Sequence, residues 1–151
     1  MFGNFLTKIY LKHLERKGFV HGTNFDMEKG VNIDAGFCQY ISCGNNVTLA
    51  KDAYIIAHDA STKKFLGKTK FGAVNLGNNV FVGARTIILP GVNIGDNVII
   101  GANSCVNTSI PNNQVWGGSP AKYIMSTHEF LEKHRKNMVS RQENNRISYI
   151  E

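Results

Sequence analysis

Long apolar runs are missing from this chain. No stretch approaches the roughly 20 residues that a helix needs to cross a bilayer, so no membrane span is expected. The opening MFGNFLTKIYLKHLERKGF is interrupted by Lys8 and Lys12 and has no small-residue cleavage site, which argues against a signal peptide. Proline is scarce, with 3 residues, all between Pro90 and Pro120. The 3 cysteines, Cys38, Cys43 and Cys105, are an odd number without metal-ligand spacing. That excludes a disulfide framework and points to reduced, partly buried thiols in a cytoplasmic protein. Acidic residues are few, 11 against 17 Lys and Arg, for a net charge of +6. An anionic partner fits that balance, whether nucleic acid, membrane surface or a phosphate-bearing cofactor. Hydrophobic residues make up 42% of the 151, enough for one folded domain and too many for wholesale disorder.

Gly and Asn are plentiful instead, 15 and 17 residues. Both tolerate the left-handed backbone conformation, so tight turns are expected throughout and a helical bundle is disfavoured.

The abundance is ordered. Every sixth residue from Leu76 is aliphatic: Leu76, Val82, Ile88, Ile94, Ile100, Val106. The following residue is Gly in four of the six hexads, and the fifth position, Val80 to Ile110, is small or β-branched. Neither a helical period nor simple strand alternation produces this phase. An earlier set, Phe25, Val31, Phe37, Cys43, Leu49, Ile55, keeps the same step. The step from Ile55 to Leu76 is not a whole number of hexads, so an excursion over residues 59–73 interrupts the repeat. A six-residue strand-and-turn unit buries its aliphatic face only against its neighbours, and three units close one triangular coil. Twelve hexads predict four coils, with Gly or Asn supplying the turn conformation. Residues 76–111 carry only Arg85 and Asp96 as charges, a surface expected to meet a partner.

The run 76–122, with Leu76–Val80, ILPGVNIGD, IGANS and the closing Gly118-Ser119-Pro120-Ala121-Lys122, resembles the hexapeptide-repeat acyltransferases. Within that family it is similar to the galactoside, maltose and xenobiotic acetyltransferases and to the small O-acetyltransferases of polysaccharide synthesis. The resemblance implies an all-β, single-stranded, left-handed parallel β-helix over residues 25–122. A capping-helix segment over 1–24 would precede it, and a C-terminal helix and tail over 123–151 would follow. Ser126 with Glu129 three residues later signals a capping box for that last helix, expected from about Thr127 to Arg141, burying Phe130, Leu131 and Met138 in part. The last ten residues look loose.

The resemblance also implies chemistry. His58 ends the last regular strand before the excursion, where the family keeps a general base that takes the acceptor's proton as it attacks a thioester; imidazole suits the task. Asp59 is a candidate to hold it, although adjacent strand residues point apart. His13, His21, His128 and His134 read as surface residues. Acetyl-coenzyme A is the implied acyl donor, lying between subunits against Ala84 and Ala102 on stacked corners, with Phe81 beside it. Asn107 and Thr108 stand where the family often has Thr-Lys, so one cation toward the cofactor phosphates is missing, while Lys122 remains. Cys43 falls on an inward ladder and reads as packing. No metal site is expected, since the repeat region holds one histidine. The lysines of the excursion, Lys63, Lys64, Lys68 and Lys70, suit either an anionic acceptor or plain solubility. The expected function is O-acetylation of a sugar hydroxyl in surface-polysaccharide synthesis, by a homotrimer with sites between subunits. N-acetylation of an amino sugar or sugar nucleotide stays open, as does a non-catalytic assembly module. A nucleic-acid role is disfavoured because aromatics and lysines are not interleaved in a stripe.

Overall fold

The computed structural model describes residues 5–135. Helix α1, Phe5–Arg16, comes first, and the chain then winds into a parallel β-helix with three faces. Face one stacks Val20–His21, Ile41–Cys43, Val74–Leu76 and Asn93–Ile94, with Ile110 bridging Ile94. Face two stacks Asp26–Met27, Val47–Leu49, Val80–Val82, Ile99–Ile100 and Gln114–Gly117. Face three stacks Asn32–Ile33, Tyr54–Ile55, Ile87–Ile88 and Cys105–Val106. Four full coils and part of a fifth result.

Strand register exposes the spacing. Ile88 pairs with Val106, a step of three whole hexads. Ile55 pairs with Ile88, a step longer than three hexads by fifteen positions, so the excursion enters there. Ile33 pairs with Ile55, a step longer than three hexads by four, so the first coil holds an insertion too. That second interruption corrects the repeat expected from Phe25. The ladder residues of the first coil are Met27 and Ile33; Val31 is buried at the fifth position of its hexad, and Phe25 and Phe37 are only half-buried. The inserted segment forms a turn, Phe37 N–H donating to the Asp34 carbonyl at 2.9 Å, and a 3₁₀ turn over Cys38–Tyr40. Strands also begin at Val20, ahead of Phe25.

The core is a set of aliphatic ladders. Met27, Leu49, Val82 and Ile100 stack behind face two, and Ile33, Ile55, Ile88 and Val106 behind face three, none more than 3% exposed. Each such side chain contributes about 1.5–3 kcal/mol on burial.

Asn and Gly divide the work at the corners. Asn24, Asn46, Asn79, Asn97 and Asn113 follow face one, with φ between 53° and 62°. Their amides form a ladder, each donating to the next: Asn46 to Asn79, Asn79 to Asn97 and Asn97 to Asn113, all at 2.9 Å. The hexad glycines Gly44 and Gly83 do not have positive φ. A Cβ at Gly44 would stand 2.7 Å from the Gly77 carbonyl oxygen, and one at Gly83 2.5 Å from the Ala102 nitrogen. Close approach of successive coils therefore demands these glycines, while Asn supplies the turn conformation.

Helix α1 closes the first coil. Leu14 is fully buried, and the Tyr10 hydroxyl donates to the Ile33 carbonyl at 3.0 Å. Burial raises the Tyr10 pKa above its ordinary value. The excursion after His58 contains helix α2, Lys63–Leu66, between antiparallel strands His58–Asp59 and Lys70–Phe71. The far end is closed by strand Lys122–Ser126, antiparallel to Gln114–Gly117, and helix α3, Thr127–His134. Its capping box is present, with Ser126 and Glu129 exchanging hydrogen bonds. Phe130 is half-buried and Leu131 exposed. The expected extension of this helix to Arg141, Met138 and the last ten residues lie outside the described residues.

Candidate active site

Both interruptions of the repeat open at the same corner, where face three passes to face one. In the first coil that corner is Asp34–Tyr40; in the second it is the excursion from His58. Leu89 and Pro90 occupy it in the third coil, and Asn107 in the fourth. The rigid ladders behind them fix these corners above one another.

His58 is joined there to Asp34. The His58 Nδ1–H donates to Asp34 Oδ2, and the same oxygen accepts from the Ala57 N–H at 3.2 Å. Asp34 is 5% exposed, whereas the His58 side chain is 36% exposed. A carboxylate that receives Nδ1–H fixes the tautomer and leaves Nε2 with a lone pair. Phe37 packs on the imidazole, ring centroids 4.6 Å apart, and Phe71 lies 5.9 Å from Phe37. His58 lines a cleft of roughly 600 Å³ together with Asp59, Lys70, Leu89, Pro90 and Asn107. Such a site can take a proton from a group entering the cleft and hold the resulting positive charge against a buried carboxylate.

Asp59 interacts with His58 through charge alone and makes its hydrogen bond elsewhere. Its Oδ1 accepts from the Ser61 N–H at 2.8 Å, and that bond draws its pKa below the ordinary carboxylate value. The ring partner is Asp34, far upstream on the first coil. Asp34 escaped sequence reading because it sits in a short insertion that the hexad count did not register, and Phe37, in the same insertion, reads as a ladder residue in that count. The available signal was the second aliphatic series, Met27 and Ile33, out of phase with Phe25 and Phe37.

The other expected residues are spread along the coil. Asn107 shares the cleft of His58. Thr108 follows it, exposed. Ala84 and Ala102 stand on successive turns of a different corner, between faces two and three, where the Asn103 N–H donates to the Ala84 carbonyl at 2.8 Å. Phe81 is exposed on face two, beside Ile99 in register. Lys122 is exposed and opens the closing strand opposite Gly117. Within one chain, then, the structure gathers His58 and Asn107 in that cleft, and Phe81, Ala84, Ala102, Thr108 and Lys122 are not among its lining residues.

Other reactive groups are accounted for by packing. Burial pushes the Cys43 thiol up to about 12. Cys38 is buried as well and points its thiol at the Leu14 carbonyl. His21, read as a surface residue, is half-buried at a ladder position, 2.9 Å from Glu15 and stacked on Phe25. Among the described residues no cluster of His, Cys, Asp and Glu is suited to a metal ion, and no helix is long and apolar enough to cross a membrane. A second cleft of roughly 700 Å³ lies between α3 and the Asn ladder, and none of the expected site residues lines it.

Several known proteins are similar to this chain. Residues 73–108 match the family described as bacterial transferase hexapeptide, six repeats. Protein CapG of Staphylococcus aureus is 43% identical over 97 residues, 62% of this chain and 56% of that protein. A Dictyostelium discoideum protein assigned to the acetyltransferases is 36% identical over 129 residues, 82% of this chain and 68% of that one. The crystal structure of a maltose O-acetyltransferase from Clostridium difficile 630 superposes with a TM-score of 0.63 at 27% identity, over 83% of this chain and 78% of that one. This chain thus spans little more than half of CapG. With the three-hexad register, the repeat match and the long overlap with the Dictyostelium protein, the chain belongs to the hexapeptide-repeat transferases and has their left-handed parallel β-helix.

Proposed function

We propose that this protein is an acetyltransferase that moves an acetyl group from acetyl-coenzyme A to a sugar hydroxyl, with His58 as the general base. The observation that carries the reading is the pair of His58 with the buried Asp34 at the edge of a cleft. Nε2 of His58 accepts the hydroxyl proton while the oxygen attacks the thioester carbonyl. Asp34 stabilises the imidazolium that forms, as a buried carboxylate does in other His-based acyl transfer. The tetrahedral intermediate collapses, the C–S bond breaks, and the imidazolium returns its proton to the leaving thiolate. No acyl-enzyme is needed.

The acceptor class is supported by likeness to a maltose O-acetyltransferase. The donor is assigned to the corner of Ala84 and Ala102, where small side chains let a pantetheine arm approach the backbone, with Phe81, Asn107, Thr108 and Lys122 as further contacts. Because most of these residues lie apart from His58 within one subunit, the complete site is assigned to the junction of two subunits in a homotrimer. Phe81 and Ile87, exposed on faces two and three, support such packing. A role in surface-polysaccharide synthesis in the cytoplasm completes the proposal. The Ala57 N–H alone would give a structural module a reason to keep Asp34, but not a reason to hold a part-exposed imidazole against that carboxylate at the edge of a cleft.

Purified protein with acetyl-coenzyme A and a panel of sugars, followed by thiol release, tests this. His58→Ala should lower turnover by about 10²–10⁴-fold while calorimetry shows acetyl-coenzyme A binding retained. Turnover within a few-fold of the parent would remove His58 from the mechanism, and light scattering that gives a stable monomer would remove the shared site.

A further inference from the structure

The excursion from Asp59 to Gly72 is held in shape by its own hydrogen bonds. Thr62 Oγ1 donates to the Lys68 carbonyl at 2.7 Å, and the Gly67 N–H to the Lys63 carbonyl at 2.9 Å. Its return is anchored by the Gly72 N–H on the Ala57 carbonyl at 3.0 Å and by Phe71 against Tyr40, ring centroids 4.4 Å apart. This frame carries Lys63, Lys64, Lys68 and Lys70 and one acidic residue, Asp59. The Asp59 carboxylate already accepts the Ser61 N–H. Lys70 stands opposite Asp59 in the hairpin and lines the His58 cleft, where it attracts the Asp59 carboxylate but forms no direct ion pair with it. The remaining walls, Leu89, Pro90 and Asn107, are uncharged.

A neutral sugar gains only a hydrogen bond from an ammonium group beside the reacting hydroxyl, whereas a phosphate also gains a charge partner. An ammonium group is a compact point charge suited to phosphate oxygens. We propose that the acceptor sugar carries a phosphate or diphosphate group and that Lys70 binds it within the His58 cleft. Lys63, Lys64 and Lys68 supply a positive field that draws the anion toward that cleft. The inference rests on the reading that His58 activates an acceptor hydroxyl, and it narrows that acceptor to sugar phosphates, whether nucleotide-linked or lipid-linked.

Two measurements test it. In the first, the full chain is titrated with inorganic pyrophosphate by calorimetry, in the presence of saturating coenzyme A. Binding should be detected and should weaken about tenfold in Lys70→Gln, the size of one charge-assisted contact at a half-open site. Lys8→Gln, on α1, serves as the control and should bind like the parent. In the second, acetyl transfer is compared on matched methyl glycosides, sugar 1-phosphates, uridine diphosphate sugars and farnesyl diphosphate-linked sugars. The phosphorylated forms should have the higher kcat/KM, and Lys70→Gln should bring the ratio close to one. Preference for the uridine or the farnesyl form identifies the source of the diphosphate. Pyrophosphate binding that coenzyme A abolishes, or that Lys70→Gln leaves unchanged, overturns the proposal. So does equal transfer to neutral and phosphorylated sugars, an outcome that leaves His58 acetyl transfer standing. Lys70-dependent pyrophosphate binding without transfer to any sugar would keep the anion site and refute the sugar acetyltransferase reading instead.

Discussion

Replacing Asp34 by Asn separates the two things that this buried carboxylate does. One is structural: a single oxygen accepts both the His58 Nδ1–H and the Ala57 N–H. An amide oxygen in the same place keeps both bonds, so Asp34→Asn should fold normally. Asp34→Ala removes the acceptor and strands a buried N–H, which should cost about 1–3 kcal/mol in urea unfolding. The other is electrostatic: an amide cannot stabilise an imidazolium, and an amide turned round would present its NH₂ to Nδ1 and force the wrong tautomer. Turnover of Asp34→Asn should therefore fall by about 10²–10⁴-fold, or about 3–5 kcal/mol of barrier. The KM for acetyl-coenzyme A should stay near the parent value, because the imidazole acts on the acceptor. Nitrogen-15 NMR of His58 should show the proton on Nδ1 in the parent and a mixed or reversed tautomer in the variant. Turnover within threefold of the parent, in a folded Asp34→Asn protein whose His58 spectrum has changed, would refute the claim that Asp34 supports catalysis.

Bulky residues at the stacked corner, Ala84→Trp or Ala102→Trp, should weaken acetyl-coenzyme A binding by calorimetry while circular dichroism shows the β-helix intact; unchanged affinity in both would remove the donor from that corner. Asn79→Ala should cost about 2 kcal/mol in chemical unfolding, from a left-handed backbone at φ 55° and two ladder hydrogen bonds, and Asn79→Gly should recover the backbone part. Glu129 is held below the ordinary carboxylate pKa by the Ser126 hydroxyl and then by the Ser126 N–H. Its folded pKa lies below the unfolded one, so the α3 cap is fully supported above the ordinary carboxylate range and loses that support as pH falls through the lowered value. Amide exchange at Ser126, followed by NMR during acidification, should accelerate only after that point is passed.

Residues 74–106 could be read directly because nothing interrupts them: every ladder position recurs after one hexad and every coil after three. His58 was legible as a candidate because it stands where the period fails, although it opens the excursion hairpin and the regular strand before it ends at Ile55. The first coil was harder for a physical reason. Phe25, Val31 and Phe37 form one apolar series and Met27 and Ile33 another, and a single sequence does not reveal which series holds the ladder positions. The hydrogen-bond register decides, pairing Met27 with Leu49 and Ile33 with Ile55. His21 misled for a related reason. It holds the position that Cys43 and Leu76 occupy in later coils, but it is in the terminal coil, where α1 supplies Glu15 as a partner. A polar residue can take a ladder position there without being left unsatisfied.

The short insertion that hid Asp34 is also what makes the site. In an uninterrupted hexad, the residue after each face-three strand goes straight into a tight corner and has no depth around it. The insertion after Ile33 lets the chain swing outward and return to Ile41 with the ladder resumed, Ile41 pairing with Val74. The longer excursion after Ile55 does the same one coil above. Lengthening a corner costs little, because closure entropy grows only slowly with loop length, whereas breaking a ladder would expose aliphatic core and unpaired backbone. Insertions are therefore tolerated at corners, and two on adjacent coils at the same corner build walls facing each other. Asp34 and Phe37 come from the lower insertion, His58 and Lys70 from the upper one, and the regular coils beyond contribute Pro90 and Asn107. The regular part of the chain thus provides the rigidity, and its two departures from regularity bring Asp34, His58 and Lys70 to one corner.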